Sequence, residues 1–315
     1  MDLLGDALAA MRVGQASSRR VELRAPWGLR FDNVAGAGFH VVLQGSCWLL
    51  PTDGVPIQLV PGDVVLLRGG REHGLADNPA TALEPLPSSW PVESGHDDLG
   101  ARTVLLCGAY HLDLGRPHPL LRDLPDVVHL PTRYGRHGPL RAAVDLLTGE
   151  LDTTSPGVGA GVPVLVDLLL LYILRAWFED QEAAGRACVW TAVLGDPSIR
   201  AALDEMHRDP GRPWTVAELG AATGLSRAAF ARRFNRAVGR PPLGYLTWWR
   251  MTTAARQLLD TDAPLSAVAA RTGYTSEFAF ARAFKREFGT APGRYRHLAG
   301  NANGSSGHGP LPRRA

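Results

Sequence analysis

Arg232 and Arg282 stand 50 residues apart in almost the same setting, "FARRF" (230–234) and "FARAF" (280–284). If both stretches are helical, Phe230 and Phe234 share one face at i, i+4 spacing, as do Phe280 and Phe284. The arginine between each pair then points the other way, since successive residues turn by about 100°. A guanidinium held opposite an aromatic anchor is long enough to reach a guanine edge or a phosphate. The same face carries Arg227, Ala228 and Ala231 in the first stretch, and Ser276, Glu277, Phe278, Ala281 and Lys285 in the second. The alanines permit close approach. Phe278 lies about 200° around the helix from Phe280, so it is outside that core; a thymine-methyl contact and packing on a neighbouring element are both open.

A second set of residues has metal or ligand chemistry available. "FHVVLQG" offers His40 and Gln44, and "GDVVLLRGGREHGLAD" (62–77) offers His73. Two neutral imidazoles on adjacent strands can hold zinc, iron or nickel if Cys107, His111 or Gln44 supplies a third donor. The same histidines are equally readable as hydrogen-bonded core residues. Cys107 reads as a redox switch or as an inert buried thiol. The three cysteines, Cys47, Cys107 and Cys188, include no CxxC pair, which fits a reduced, cytoplasmic setting rather than a disulfide framework. His96, His118, His129 and His137 fall in polar or Pro-rich loops and are assigned no chemistry. Nothing matches a Ser/His/Asp triad, a phosphate loop or a dinucleotide fingerprint.

The elements that must position these groups follow from periodicity. "TVAELGAATGLSRAAFARRFNRAVGRPPLGY" (215–245) repeats as "PLSAVAARTGYTSEFAFARAFKREFGTAPGRY" (264–295), with one residue inserted after the turn glycine. Each copy predicts a short helix, a turn at Gly224 or Gly273, a plug at Leu225 or Tyr274, a cap at Ser226 or Thr275, and a second helix. "PPLGYLTWWRMTTAARQLLDTD" predicts one rigid helix between them, able to set two readers about 34 Å apart along one side of a duplex.

The other half predicts antiparallel strands from "RVELRAPWGLRF", "GFHVVLQGSCWLL", "VPIQLVPGDVVLL" and "TVLLCGAYHLDL", with "PTDGVP" as a hairpin connection. Two helices, 139–151 and 162–182, follow. The apolar run 162–178 is broken by Asp167 and Arg175 and predicts a buried helix rather than a membrane span. Residues 299–315 are Gly/Ser/Pro-rich and predict a disordered tail. Residues 196–298 hold 16 Lys and Arg against 9 Asp and Glu, while residues 1–195 hold 15 against 22. Opposite signs in the two halves imply a polyanion partner for the basic one.

The duplicated unit, its linker and the closing "GTAPGRYR" resemble the AraC/XylS family of transcription regulators. "APWGLRF", "FHVVLQGSCWLL", "GDVVLLRGGREH" and "LLCGAYHLD" are similar to that family's cupin-bearing branch. The resemblance implies an α+β two-domain chain: a cupin-like antiparallel β-barrel sensor (1–137), a helical linker or dimerisation region (138–190) and an AraC-type DNA-binding domain (196–298). Its helix-turn-helix units fall at 215–238 and 264–288. It places DNA-facing positions on Arg227, Ala228, Ala231, Arg232, Glu277, Phe278, Ala281 and Arg282. It implies a homodimeric activator that binds double-stranded promoter or operator DNA, works with RNA polymerase and has no membrane partner. The effector would be a small molecule, a metal or an oxidant, met at a pocket around His40, Gln44, His73 and Cys107, with a divalent metal on His40 and His73 left open. The chain is then not an enzyme. The competing reading, a cupin dioxygenase or isomerase fused to a DNA-binding domain, needs a His/Glu ligand set that the first motif lacks.

Overall fold

A computed structural model describes residues 2–11, 16–33, 36–86, 101–110, 118, 123–132, 136–153, 156–186 and 188–297. The contacts divide the chain into two compact units, one sheet-rich and one helical. The chain opens with α1 (Leu3–Met11), which belongs to the helical unit.

The sheet-rich unit contains β1 (Ser17–Arg24), β2 (Gly28–Phe31), β3 (Ala37–Gln44), β4 (Cys47–Pro51), β5 (Ile57–Leu59), β6 (Val64–Arg68), β7 (His73–Ala76), β8 (Glu84–Pro85), β9 (Arg102–Tyr110) and β10 (Val127–Leu130). They form two five-stranded sheets, ordered β1-β9-β3-β6-β10 and β5-β4-β7-β2-β8. All pairings are antiparallel except β2 with β8. The "PTDGVP" connection does join an antiparallel pair, β4 and β5. β3 is central, and its first six residues are buried. The core gathers alternate residues of several strands, among them Val21, Leu23, Leu49, Leu75 and Leu105, as a period of two requires when one face is covered. Gly108 of β9 cannot carry a side chain: a Cβ there would lie 2.3 Å from the Phe39 ring.

α2 (Gly138–Leu151) and α3 (Val158–Ala183) pack on each other and belong to this unit. α3 starts earlier than its sequence predicts, inside the Gly-rich stretch, with Gly157 in the left-handed region and Pro163 within the helix. At 26 residues it is long and apolar enough to cross a membrane by length and composition, and 28% of its most apolar window is buried. Its buried face includes Val166, Leu169, Leu170, Ile173, Leu174 and Trp177.

The helical unit contains α1, His118 and the chain from Val189 on: α4 (Val189–Leu194), α5 (Pro197–Arg208), α6 (Val216–Ala222), α7 (Arg227–Val238), α8 (Pro242–Asp260), α9 (Leu265–Arg271) and α10 (Glu277–Phe288). The contacts therefore group the chain differently from the sequence-based segments at 137 and 196. α1 and His118 side with the helices, because their burial comes from α5 and α8. α2 and α3 side with the sheets, on β1 and β10. The tail beyond 297 lies outside the described residues.

Candidate functional site

Two copies of one local design make up the basic surface. α6 is started by a capping box: the Thr215 amide donates to Glu218 Oε2 (2.8 Å), and the Glu218 amide donates to Thr215 Oγ1 (3.1 Å). The Thr215 hydroxyl, which also donates to Glu218 Oε2 (2.8 Å), and the Thr215 amide hold the Glu218 carboxyl below the usual carboxylate range. The chain reverses at Gly224, φ 71°, and the Leu225 amide donates back to the Gly220 carbonyl (2.9 Å), closing the helix end. Ser226 caps α7 by accepting from the Ala229 amide (3.3 Å). Phe230 and Phe234 are fully buried, with ring centroids 5.6 Å apart. Arg227, Ala228 and Arg232 are exposed and Ala231 is half-buried.

The second copy reverses at Gly273, φ 80°, where the Tyr274 amide donates to the Ala269 carbonyl (2.9 Å). Its cap is Ser276, which accepts from the Ala279 amide (3.4 Å), and not Thr275. The correction has a simple origin. Thr275 is the inserted residue, so Ser276 takes the place of Ser226. Ser276 thus has a helix-capping duty as well as its place on the exposed side. Phe280 and Phe284 are buried in a cluster with Met251, Ala254, Leu258, Val268 and Ala283. Glu277, Phe278, Arg282 and Lys285 are exposed, and Ala281 is half-buried. Among the described residues, no carboxylate pairs with Arg227, Arg232, Arg282 or Lys285, whereas Arg233 is tied to Asp196 and Arg256 to Asp260 (3.1 Å).

α8 connects the copies. Its 19 residues span about 28 Å at 1.5 Å per residue. Tyr245 near its start packs edge-on against Phe234 of the first copy (5.8 Å), and Met251 to Leu258 belong to the second copy's core.

Sequence reasoning missed a cluster at this junction. His118 is fully buried among Tyr245, Trp248, Trp249 and His207. The Tyr245 hydroxyl lies 3.2 Å from His118 Nε2 and 2.7 Å from His207 Nε2, and His207 Nδ1 lies 3.2 Å from Asp6 Oδ2. One proton arrangement satisfies every bond: His207 Nδ1–H donates to Asp6, Tyr245 O–H donates to His207 Nε2, and His118 Nε2–H donates to Tyr245. Burial lowers the His118 pKa well below the ordinary imidazole value and raises that of Tyr245. The only local signal was the "PHP" context of His118, too little to place it.

The sheet-rich unit holds a cavity of about 340 Å³, lined among others by Arg19, Phe31, His40, His73 and Cys107. His40 and His73 meet at Nε2 with a separation of 2.7 Å. His73 Nδ1–H donates to the Arg71 carbonyl (2.7 Å), so its Nε2 is the bare nitrogen and His40 Nε2 is the donor. His40 Nδ1 is then left buried without a partner. Phe31 stacks on His73 at 4.8 Å and meets His40 edge-on at 4.7 Å. Desolvation lowers both imidazole pKa values, so both rings are neutral at pH 7. Burial also pushes the Cys107 thiol up strongly and that of Cys47 up to about 12, so both are protonated thiols at pH 7.

Of the other candidate donors, Gln44 does not join this pair. Gln44 is exposed at the end of β3, past the register shift between Val42 and Gln44. His111 and His96 lie outside the described residues. Among the described residues, no group of three or more His, Cys, Asp and Glu side chains could hold a metal ion. His129 is occupied with buried Asp63 (3.1 Å), and His137 faces Glu179 and Asp180.

Residues 2–179 match a Cupin family, and residues 219–297 match a Helix-turn-helix domain family. An AraC-like transcription regulator of Streptomyces lividans is 34% identical over 303 residues, 94% of this chain and 98% of that protein. The HTH-type regulator AlkR of Acinetobacter baylyi is 26% identical over 94% of this chain and 99% of its own length. The RCS-specific HTH-type transcriptional activator RclR of Escherichia coli is 28% identical over 92% of this chain and 97% of its own length. Among solved structures, the DNA-binding domain of AdpA in complex with a target DNA matches 35% of this chain and 97% of that chain, at 29% identity and a TM-score of 0.33.

Proposed function

The chain belongs to the AraC-like transcription regulators, and on that premise we propose how its two units divide the work. The helical unit binds double-stranded DNA through α7 and α10, each laid along a major groove. Arg227, Ala228, Ala231 and Arg232 face the bases in one segment, and Glu277, Phe278, Ala281, Arg282 and Lys285 in the next. The observation that carries this reading is the repeated design itself: a buried Phe pair beneath an exposed arginine that no carboxylate neutralises. The relative RclR is named a transcriptional activator, which supports activation here; RNA polymerase is the partner that an activator's role calls for. Genome-wide footprinting of the protein, followed by gel shifts with Arg232→Ala and Arg282→Ala, tests the assignment. Unchanged affinity in both variants refutes it.

The two sheets of the other unit form the walls of an open cupin barrel, and its cavity takes the effector. The lining sets apolar groups such as Phe31 and Leu86 beside two neutral imidazoles, the Arg19 guanidinium, the Asp32 carboxylate and the Asn33 amide, which suits a small organic molecule with both apolar and hydrogen-bonding groups. A divalent ion on His40 and His73 is the second reading, favoured by the bare Nε2 of His73 and the second bond that orients its ring. Metal analysis of the purified protein beside a His40→Ala, His73→Ala variant separates the two: stoichiometric metal lost in the variant selects the ion. Leu146 and Val164, exposed on α2 and α3, give the helical hairpin an apolar surface for a second copy. The whole regulator works in the cytoplasm.

A further inference from the structure

The two recognition helices are copies offset by 50 residues, so each position in one has a control in the other. Arg232 and Arg282 correspond, as do Ala231 and Ala281, but Arg227 faces Glu277 and Ala228 faces Phe278. The fold has no use for the Phe278 ring. It is 76% exposed, the most exposed large apolar side chain of the helical unit among the described residues. The core beneath is completed without it, by Phe280, Phe284, Phe288, Tyr274 and Tyr295. Phe is also a weaker helix former than the Ala at the matching site.

Its position is informative. At 100° per residue, Phe278, Ala281, Arg282 and Lys285 fall within a stripe about 100° wide that runs from the first turn of α10 to its last. An apolar ring ringed by two cations suits an anionic partner that offers one apolar feature. The major groove offers one: the thymine C5-methyl group, between phosphates. A wholly apolar protein surface would leave Arg282 and Lys285 desolvated without partners. Ala281, one turn on, leaves room for the ring to lie against the base edge.

We propose that Phe278 is a specificity-determining residue that reads a thymine methyl in the segment bound by α10, while Ala228 leaves the equivalent site under α7 unread. The two modules are then not equivalent readers: the second demands thymine where the first is tolerant. The inference rests on the DNA-binding reading above.

Full-length protein and a footprinted operator duplex test it, with each thymine in turn replaced by deoxyuridine, which removes only the methyl group. Wild-type protein should lose about four- to ten-fold in affinity at one thymine in the α10 half-site. Phe278→Ala should show that loss already on the natural duplex and no further loss on the deoxyuridine duplex. Phe278→Leu should keep part of the deoxyuridine effect, and both variants should melt like the wild type. Equal deoxyuridine penalties in wild type and Phe278→Ala, or no penalty at any thymine, overturn the proposal. So does unchanged DNA affinity with lost transcription, which would place the ring against a protein partner. Failure to bind any duplex would instead sink the DNA-binding reading itself.

Discussion

The hydroxyl of Tyr245 lies 2.7 Å from Nε2 of His207, in a site where both side chains are shut off from water. His207 also stacks on Trp249 at 3.8 Å. The pair joins α5 to α8 beneath the first helix-turn-helix copy, and His118 and Asp6 extend it at either end. Loss of a member from a hydrogen-bonded chain of this kind leaves its buried neighbours short of a partner, while Asp6, at the partly exposed end, can still be met by water.

Tyr245→Phe keeps the ring against Phe234 and removes only the hydroxyl. It should cost about 1–3 kcal/mol of stability, read as a lower urea midpoint with an unchanged slope. An unaltered midpoint would mean that the hydroxyl's bonds to the two histidines add nothing to the fold.

Acid should weaken the fold in a defined window. His40, His73 and His118 all have pKa values depressed by burial. The unfolded chain takes up their protons at about pH 6.5, while the folded chain resists. Their contribution is therefore complete above pH 6.5 and is lost as pH falls towards the folded-state values. The slope is about 1.4 kcal/mol per pH unit for each imidazole that is protonated only when unfolded. Urea midpoints between pH 7.5 and 5 check the sign, and His73→Gln should flatten the curve.

Phe234→Ala and Phe284→Ala each empty the middle of one copy and should cost about 3–5 kcal/mol. Hydrogen exchange should show loss of protection confined largely to the copy that carries the change. A native-like melting curve for either variant would contradict the placement of these rings.

Arg232→Ala and Arg282→Ala should each cost about 1–3 kcal/mol at the specific site and relax base preference beneath the altered helix. Arg233→Ala is the internal control. Its side chain is tied to Asp196, so base preference should not change. A uniform loss across all sequences, with a salt slope smaller by about 1, would reassign either arginine to a phosphate.

The helix-turn-helix copies were legible because their signals are local. A glycine with φ near 70–80° ends each first helix, and an i, i+4 Phe pair fixes which face turns inward. The cap was misplaced by one residue because the inserted Thr275 and Ser276 are chemically interchangeable in a sequence. The strands were legible from alternation, but the fate of Gln44 was not. The register shift before it sends it outward, and such a shift is decided by pairing with β9. The contacts that group His118 and α1 with the helical unit were not legible for the same reason. What buries them is contributed by residues far along the chain, and no local pattern encodes that.

That long-distance burial has a consequence for biosynthesis. Asp6 and His207 are separated by 201 residues, so α1 leaves the ribosome and waits while most of the protein is made. A fragment starting at Val189 would lack both Asp6 and His118, and Tyr245 and His207 would enter their site half-clothed. The reader's buried hydrogen-bond chain is closed by a helix made 201 residues before it, so removal of α1 should lower the stability of the carboxy-terminal fold.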